Sequence, residues 1–258
     1  MGADETEEGA FTYRMPDLSV PNPPPELSYG EAEDFLNREI LKANGISLSE
    51  DDLRAALKNN VSIIQAAAAH ALGSMSATSA IPDLAPLLTS TSDLVKVEAA
   101  SALARLGAPE GRAALIECLS FQLDAYLCPP MAAGYLAQLG DPRGFQVIAK
   151  CFDVEIPAIR MLACKQLFHF LPFDGTTDES GNRIDVFALY DRALKDSSAD
   201  IQWQALVQLR EIRSPRSKKI LEDYSEAAGD EQLRAVAKGI LESIASSGDE
   251  QLEKRRPE

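Results

Sequence analysis

The tightest constraint on this chain is a side chain one carbon long. Six leucines, Leu72, Leu103, Leu136, Leu167, Leu209 and Leu241, stand 31, 33, 31, 42 and 32 residues apart. Four residues before each stands an alanine: Ala68, Ala99, Ala132, Ala163, Ala205 and Ala237. Eight before stand Ile64, Val95, Cys128, Ile159, Ile201 and Leu233, and three after stand Met75, Leu106, Leu139, Phe170, Ile212 and Ile244. Offsets of −8, −4, 0 and +3 fall on one face of an α-helix, so each unit contains a helix that buries a stripe with a narrow waist. A methyl group at the waist admits a neighbouring helix, whereas a larger group overpacks by roughly 1–3 kcal/mol.

Between anchors lies a second apolar run: Ile81, Leu84, Leu87 and Leu88; Leu115, Ile116 and Leu119; Val147, Ile148 and Phe152; Val186, Phe187, Leu189 and Leu194; Ile220, Leu221 and Tyr224. Gly107-Ala108-Pro109 and Gly140-Asp141-Pro142 end one helix on glycine and open the next on proline. Ser214-Pro215 does the same with less freedom. A period of this length marks stacked helical hairpins, and about six of them span residues 49–246. Residues 28–48 form a capping helix, with Ser28 and Glu31 at capping-box spacing and Asn44-Gly45 as its end. Ser49 caps the next helix ahead of Glu50, Asp51 and Asp52. Residues 1–27 hold five prolines and six acids against Arg14, which predicts a disordered or extended tail, with Phe11, Tyr13, Met15 and Leu18 as a strip through which it could dock. Residues 247–258 read as a second flexible tail, and the long 42-residue interval places a surface insertion at 172–183.

The segment Val95-Lys96-Val97-Glu98-Ala99-Ala100-Ser101-Ala102-Leu103-Ala104-Arg105-Leu106-Gly107 resembles the second helix of a HEAT-like repeat of the phycobilisome-lyase type. The resemblance implies an all-α, right-handed α-solenoid whose second helices line a concave surface. It says little of activity, because such repeats serve lyase subunits, scaffolds and regulators alike.

Composition narrows the partners. Lys plus Arg total 25 against 40 Asp plus Glu, a net charge of −15, which excludes a phosphate-binding surface and with it a nucleic-acid partner. No window approaches eighteen uninterrupted apolar residues, so no membrane partner is expected. Four cysteines without a C-x-x-C pair and an N-terminus without an apolar secretion signal predict a cytoplasmic protein with reduced thiols.

Catalytic and metal chemistry find little support. The two histidines, His70 and His169, are followed by Ala71 and Phe170, so the paired His-Glu motifs of a HEAT-repeat di-iron hydroxylase of the deoxyhypusine type are missing, and both read as structural. Cys118, Cys128 and Cys151 read as small buried hydrophobes. Cys151, Cys164 and His169 lack the paired-ligand spacing of structural zinc. Asp174, Thr176, Asp178, Ser180 and Asp185 imitate a calcium loop, but Glu179 replaces the required glycine. No nucleotide or nucleophile motif is present, so no catalytic residue, metal ligand or cofactor is assigned.

Function is therefore sought on the helix face opposite the core stripe. The offset of −6 carries Ala66, Val97, Pro130, Met161, Trp203 and Ala235, and −5 adds Met131 and Leu162. The expected partner-binding residues are Val97, Met131, Arg160, Met161, Leu162 and Trp203, with Lys96, Arg160 and Arg234 as a basic edge. Sideways packing between repeats is the competing explanation for the apolar ones. The ridge predicts a non-enzymatic scaffold or adaptor for another protein or peptide, one with a basic rim to suit the acidic surface. The alternative is a bilin lyase-like enzyme subunit that holds a tetrapyrrole in the same groove, with Arg160 or Lys96 on a propionate.

Overall fold

A computed structural model describes residues 29–123, 127–227 and 229–253. The acidic segment 1–27 lies outside the described residues, as do residues 254–258. A lone helix α1 (Tyr29–Ala43) precedes the first hairpin, α2 (Glu50–Ala56) with α3 (Ser62–Ser74). In the second hairpin the first helix is broken into α4 (Ile81–Leu84) flanked by 3-10 turns, because Pro82 and Pro86 each remove a backbone donor; α5 (Asp93–Arg105) completes it. Then follow α6 (Pro109–Cys118) with α7 (Cys128–Gln138), α8 (Phe145–Cys151) with α9 (Pro157–Gln166), α10 (Val186–Leu194) with α11 (Ala199–Ile212), and α12 (Pro215–Ala227) with α13 (Glu231–Glu253). The second helices stack in chain order, α3 on α5, α5 on α7, α7 on α9, α9 on α11 and α11 on α13. The result is an all-α solenoid of six hairpins, with one isolated β-bridge, Thr177 to Arg183, in the insertion.

All six waist alanines are 0% exposed. The residues at −8 are buried in every unit, from Ile64 to Leu233. Backbones come close enough that a Cβ placed on Gly73 of α3 meets the Cα of Ala102 on α5 at 2.8 Å. Gly111 of α6 is tighter still, 2.4 Å from the Ala104 amide nitrogen. Small side chains at these contacts are what allows neighbouring helices to pack at full density.

The +3 column departs from expectation. Phe170 is fully buried, but Met75 is 50% exposed and Leu106, Leu139, Ile212 and Ile244 are only half-buried. The reason is that Met75, Leu106 and Leu139 are the C-cap residues of α3, α5 and α7, where the helix turns away from its neighbours. One residue later, at +4, four units enter the left-handed region: Ser76 at φ 59°, Gly107 at 81°, Gly140 at 79° and Arg213 at 48°. In three of them the next amide returns to the anchor's carbonyl, Ala77 to Leu72 at 3.1 Å, Ala108 to Leu103 at 2.9 Å and Asp141 to Leu136 at 2.8 Å.

The last helix, α13, continues past Ser246 to Glu253. Between Ser246 and Glu253 the one poor helix former is Gly248, at about 1 kcal/mol, and the first residue that cannot continue a helix is Pro257.

Two stability changes follow. Replacing Ser76 by glycine relieves the left-handed strain, about 1–2 kcal/mol, and returns part of it as unfolded-chain entropy, so Ser76→Gly should gain roughly 0.5–1 kcal/mol in urea unfolding. Ala99→Leu should lose roughly 1–3 kcal/mol in the same measurement; a neutral Ala99→Leu would mean that the waist is not tight.

Candidate functional site

The predicted ridge divides into two halves. Val97 is fully buried with Ala100 of its own helix and Leu115, Cys118, Cys128 and Ala132 of the adjoining hairpin, so sideways repeat packing consumes it and it offers nothing to a partner. Met131 is half-buried against the same cluster. Met161 and Leu162 on α9 are half-buried, and Trp203 on α11 stands 49% exposed.

Arg160 is not a surface cation. It is 8% exposed and its guanidinium grips Asp196 through two hydrogen bonds of 2.7 and 3.0 Å. Its remaining N–H groups donate to the carbonyls of Val154 and Glu155 at 2.9 and 2.8 Å and to Ser197 Oγ at 3.4 Å. Burial pushes Asp196 up, but Arg160 and the Ser198 amide outweigh it and hold the carboxylate below its usual range. Arg160 therefore ties α9 to the α10–α11 turn and has no donor left for a carboxylate ligand. Lys96 of the same column sits 5.3 Å from the centre of the Phe121 ring.

At the N-terminal end of the ridge α1 packs on α3. Its C-terminal end is fastened by Leu41, fully buried with Leu53, Ile64, Ala67 and Ala71, and closed by Gly45 at φ 70°, with the Ile46 amide on the Leu41 carbonyl at 3.0 Å. Its N-terminal end reaches over α3, α5 and α7 through side chains. Asp34 meets Nε2 of His70 at 2.7 Å and accepts from Ser74 Oγ at 3.2 Å. His70 Nδ1 meets Glu98 at 3.2 Å, the Tyr135 hydroxyl donates to Glu98, and Glu33 lies 3.2 Å from the same hydroxyl. Burial alone would drive His70 down, but its bonds to Asp34 and Glu98 raise it to about 9, so the ring donates from both nitrogens at neutral pH. Burial and the neighbouring Glu98 charge push Glu33 up, and burial with both glutamates pushes the Tyr135 phenol well above its ordinary value. Glu33, His70 and Glu98 each bring a ligand atom within 4.8 Å of the others, and among the described residues they are the one group so placed. The sequence separates Glu33 from Tyr135 by 102 residues, which is why no motif announces them.

The other candidates are accounted for. All four cysteines are free and buried. In the insertion, Asp178 binds the amides of Ser180 and Asn182, Asp185 caps α10 through Ala188, and Arg216 bridges Asp174 and Asp185 at 2.6 Å each, so the calcium-like carboxylates are spent on the loop itself. Two open depressions, of about 540 and 400 Å³, are lined by Leu123 with Val154–Ile156 and by Phe187 with Pro215–Ile220. Neither includes Trp203, Met161 or Lys96.

Residues 50–127 match the family model of HEAT repeats. The match covers the first two hairpins and α6, and the later hairpins repeat the same pairing and stacking. The architecture is that of a HEAT-like repeat solenoid. No curated protein matches the chain in sequence. Among solved structures it is similar to the CpcE–CpcF complex of phycocyanin lyase from Nostoc sp. PCC7120, at 16% identity over 95% of this chain and 100% of that one, with a TM-score of 0.44. It is also similar to an engineered protein of the Northeast Structural Genomics Consortium, at 20% identity over 76% of this chain and 96% of that one, with a TM-score of 0.43. Identities this low say nothing of activity.

In this HEAT-like repeat protein the +2 offset builds a ladder across α3, α5, α7 and the 3-10 turn (Leu167–Phe173) that follows α9. Arg105 donates to Ser74 Oγ at 3.1 Å and to Gln138 Oε1 at 2.9 Å, and Gln138 Nε2 meets His169 Nε2 at 3.0 Å. Burial and the Arg105 charge push His169 down to about 4, so its Nε2 is bare and accepts. A histidine whose folded value lies below its unfolded 6.5 lends stability that is complete above pH 6.5 and is lost as the pH falls toward 4. Melting temperature in wild type should drop through that window, and His169→Gln should flatten the drop; an identical acid limb in both proteins would refute the assignment.

Proposed function

We propose that the protein is a non-enzymatic scaffold that binds another protein on the C-terminal half of its second-helix face, with Trp203 as anchor and Met161, Leu162 and Met131 beside it. The observation that carries this reading is the half-exposed Trp203 on a rigid helix, on the part of the ridge beyond α1. Tryptophan costs the unfolded chain little entropy to fix and buries a large apolar area, so it is the residue most enriched where partners meet. The acidic surface favours a partner whose rim is basic. The tetrapyrrole alternative has weaker support, because Arg160 is consumed by Asp196, Lys96 rests on Phe121, and the two depressions lie elsewhere.

The test is a comparative capture from native lysate. Truncating an anchor of this type costs about 2 kcal/mol, a roughly 30-fold loss of affinity. Proteins held by wild type should therefore be lost from Trp203→Ala and from the double variant with Met161→Glu, with thermal melts confirming that both fold. The same proteins retained in equal amount by folded variants would remove the ridge from consideration. An absorbance shift on adding bilin would favour the lyase-like reading instead.

A further inference from the structure

We propose that Glu33, His70 and Glu98 form a binding site for one divalent first-row transition-metal ion of the zinc class, which fastens α1 across the second-helix face. The geometry comes first. Nδ1 of His70 and Oε2 of Glu98 are 3.2 Å apart, and all three donor atoms lie within 4.8 Å of one another. Two ligands on one zinc ion, each at about 2.0–2.2 Å, stand about 3.3 Å apart at a tetrahedral angle. The His70–Glu98 pair thus already has the separation of two ligands, and Glu33 needs only a rotamer adjustment on α1.

The surroundings are those of a ligating histidine. Its second nitrogen, Nε2, is held by the Asp34 carboxylate at 2.7 Å, and Asp34 is itself fixed by Ser74. A carboxylate on the far nitrogen orients the ring and strengthens the near one as a donor. Tyr135 serves Glu98 in the same way, by donating its hydroxyl proton.

Charge points in the same direction. Around the cluster stand three carboxylates, Glu33, Asp34 and Glu98, and two cations, the His70 imidazolium and Arg105, whose guanidinium lies 5.7 Å from the centre of the Tyr135 ring. A dication on Nδ1 would stand where the His70 ring now faces Glu98, among the same carboxylates. One imidazole with two carboxylates is a borderline donor set that suits zinc, cobalt or iron over magnesium. Because Glu33 is on α1, His70 on α3 and Glu98 on α5, an ion there would join three helices.

The experiment uses the full chain stripped with chelator and titrated with Zn²⁺ by calorimetry. One equivalent should bind, millimolar Mg²⁺ should not compete, and hydrogen exchange in α1 should slow while α12 stays unchanged. Glu98→Gln and Glu33→Gln should each weaken binding at least tenfold, and His169→Ala should not. Glu33→Gln sits at the edge of the cluster and guards against a folding defect in the deeper variant; melts without metal check both. Cobalt(II) should give ligand-field bands without a thiolate charge-transfer band, which separates this site from the four cysteines. Absent saturable binding, binding indifferent to both glutamine variants, or a thiolate band would each overturn the proposal.

Discussion

Six methyl groups set the distance between the second helices, and everything on their exposed face inherits that distance. Because Ala68, Ala99, Ala132, Ala163, Ala205 and Ala237 are wholly buried, each hairpin docks on the last at one depth and one register. Residues at equal offsets then become neighbours whatever they are. The ladder Ser74–Arg105–Gln138–His169 is the direct result: four side chains about 31 residues apart in sequence meet at hydrogen-bond distance because their helices are in register. The C-caps repeat for the same reason, with a left-handed residue at +4 in four units.

That dependence also decides what the sequence could reveal. The waist, the −8 column and the helix-ending glycines are local, periodic signals, and they predicted the six hairpins. Val97 and Arg160 were misjudged because a helical wheel treats each helix as alone. Val97 points away from its own hairpin's core, yet into the next hairpin's, and Arg160 points outward, yet meets Asp196 on the following turn. The +2 ladder was readable, since Ser74, Arg105, Gln138 and His169 hold one offset from four anchors, but a column of four unlike polar residues does not catch the eye as six alanines do. The cluster around His70 was not readable at all. Its members occupy unrelated offsets, and two of them lie on α1, which belongs to no repeat.

The two histidines show how strongly that extra helix changes the face it lies on. His70 is buried on α3 and His169 is half-buried in the 3-10 turn just after α9, and desolvation pushes both down. His169, facing Gln138 and the Arg105 charge, is neutral. His70, facing Asp34 from α1 and Glu98 from α5, is held in its charged form up to about pH 9. Two carboxylates, one from α1 and one from α5, make the difference, while the Arg105 charge pushes His169 the other way. The N-terminal half of the ridge is therefore a polar interface within the chain.

The length of α1 fixes where that interface stops. Fifteen residues of helix run about 22 Å. Packed helices stand about 8–10 Å apart, so a helix crossing the stack can reach over two spacings, that is three second helices, and no more. Leu41 is seated in the first hairpin, and Glu33, eight residues or about 12 Å nearer the N-terminus of α1, meets Tyr135 on α7, the third, through its side chain. Trp203 on α11 lies two helices farther on, beyond anything α1 can cover. An indole left half in water at that distance costs the fold hydrophobic stabilisation that a polar residue would not forgo. Binding on the far half of the ridge recovers that area without disturbing α1, so the buried cluster and the exposed anchor can act on one surface as separate devices.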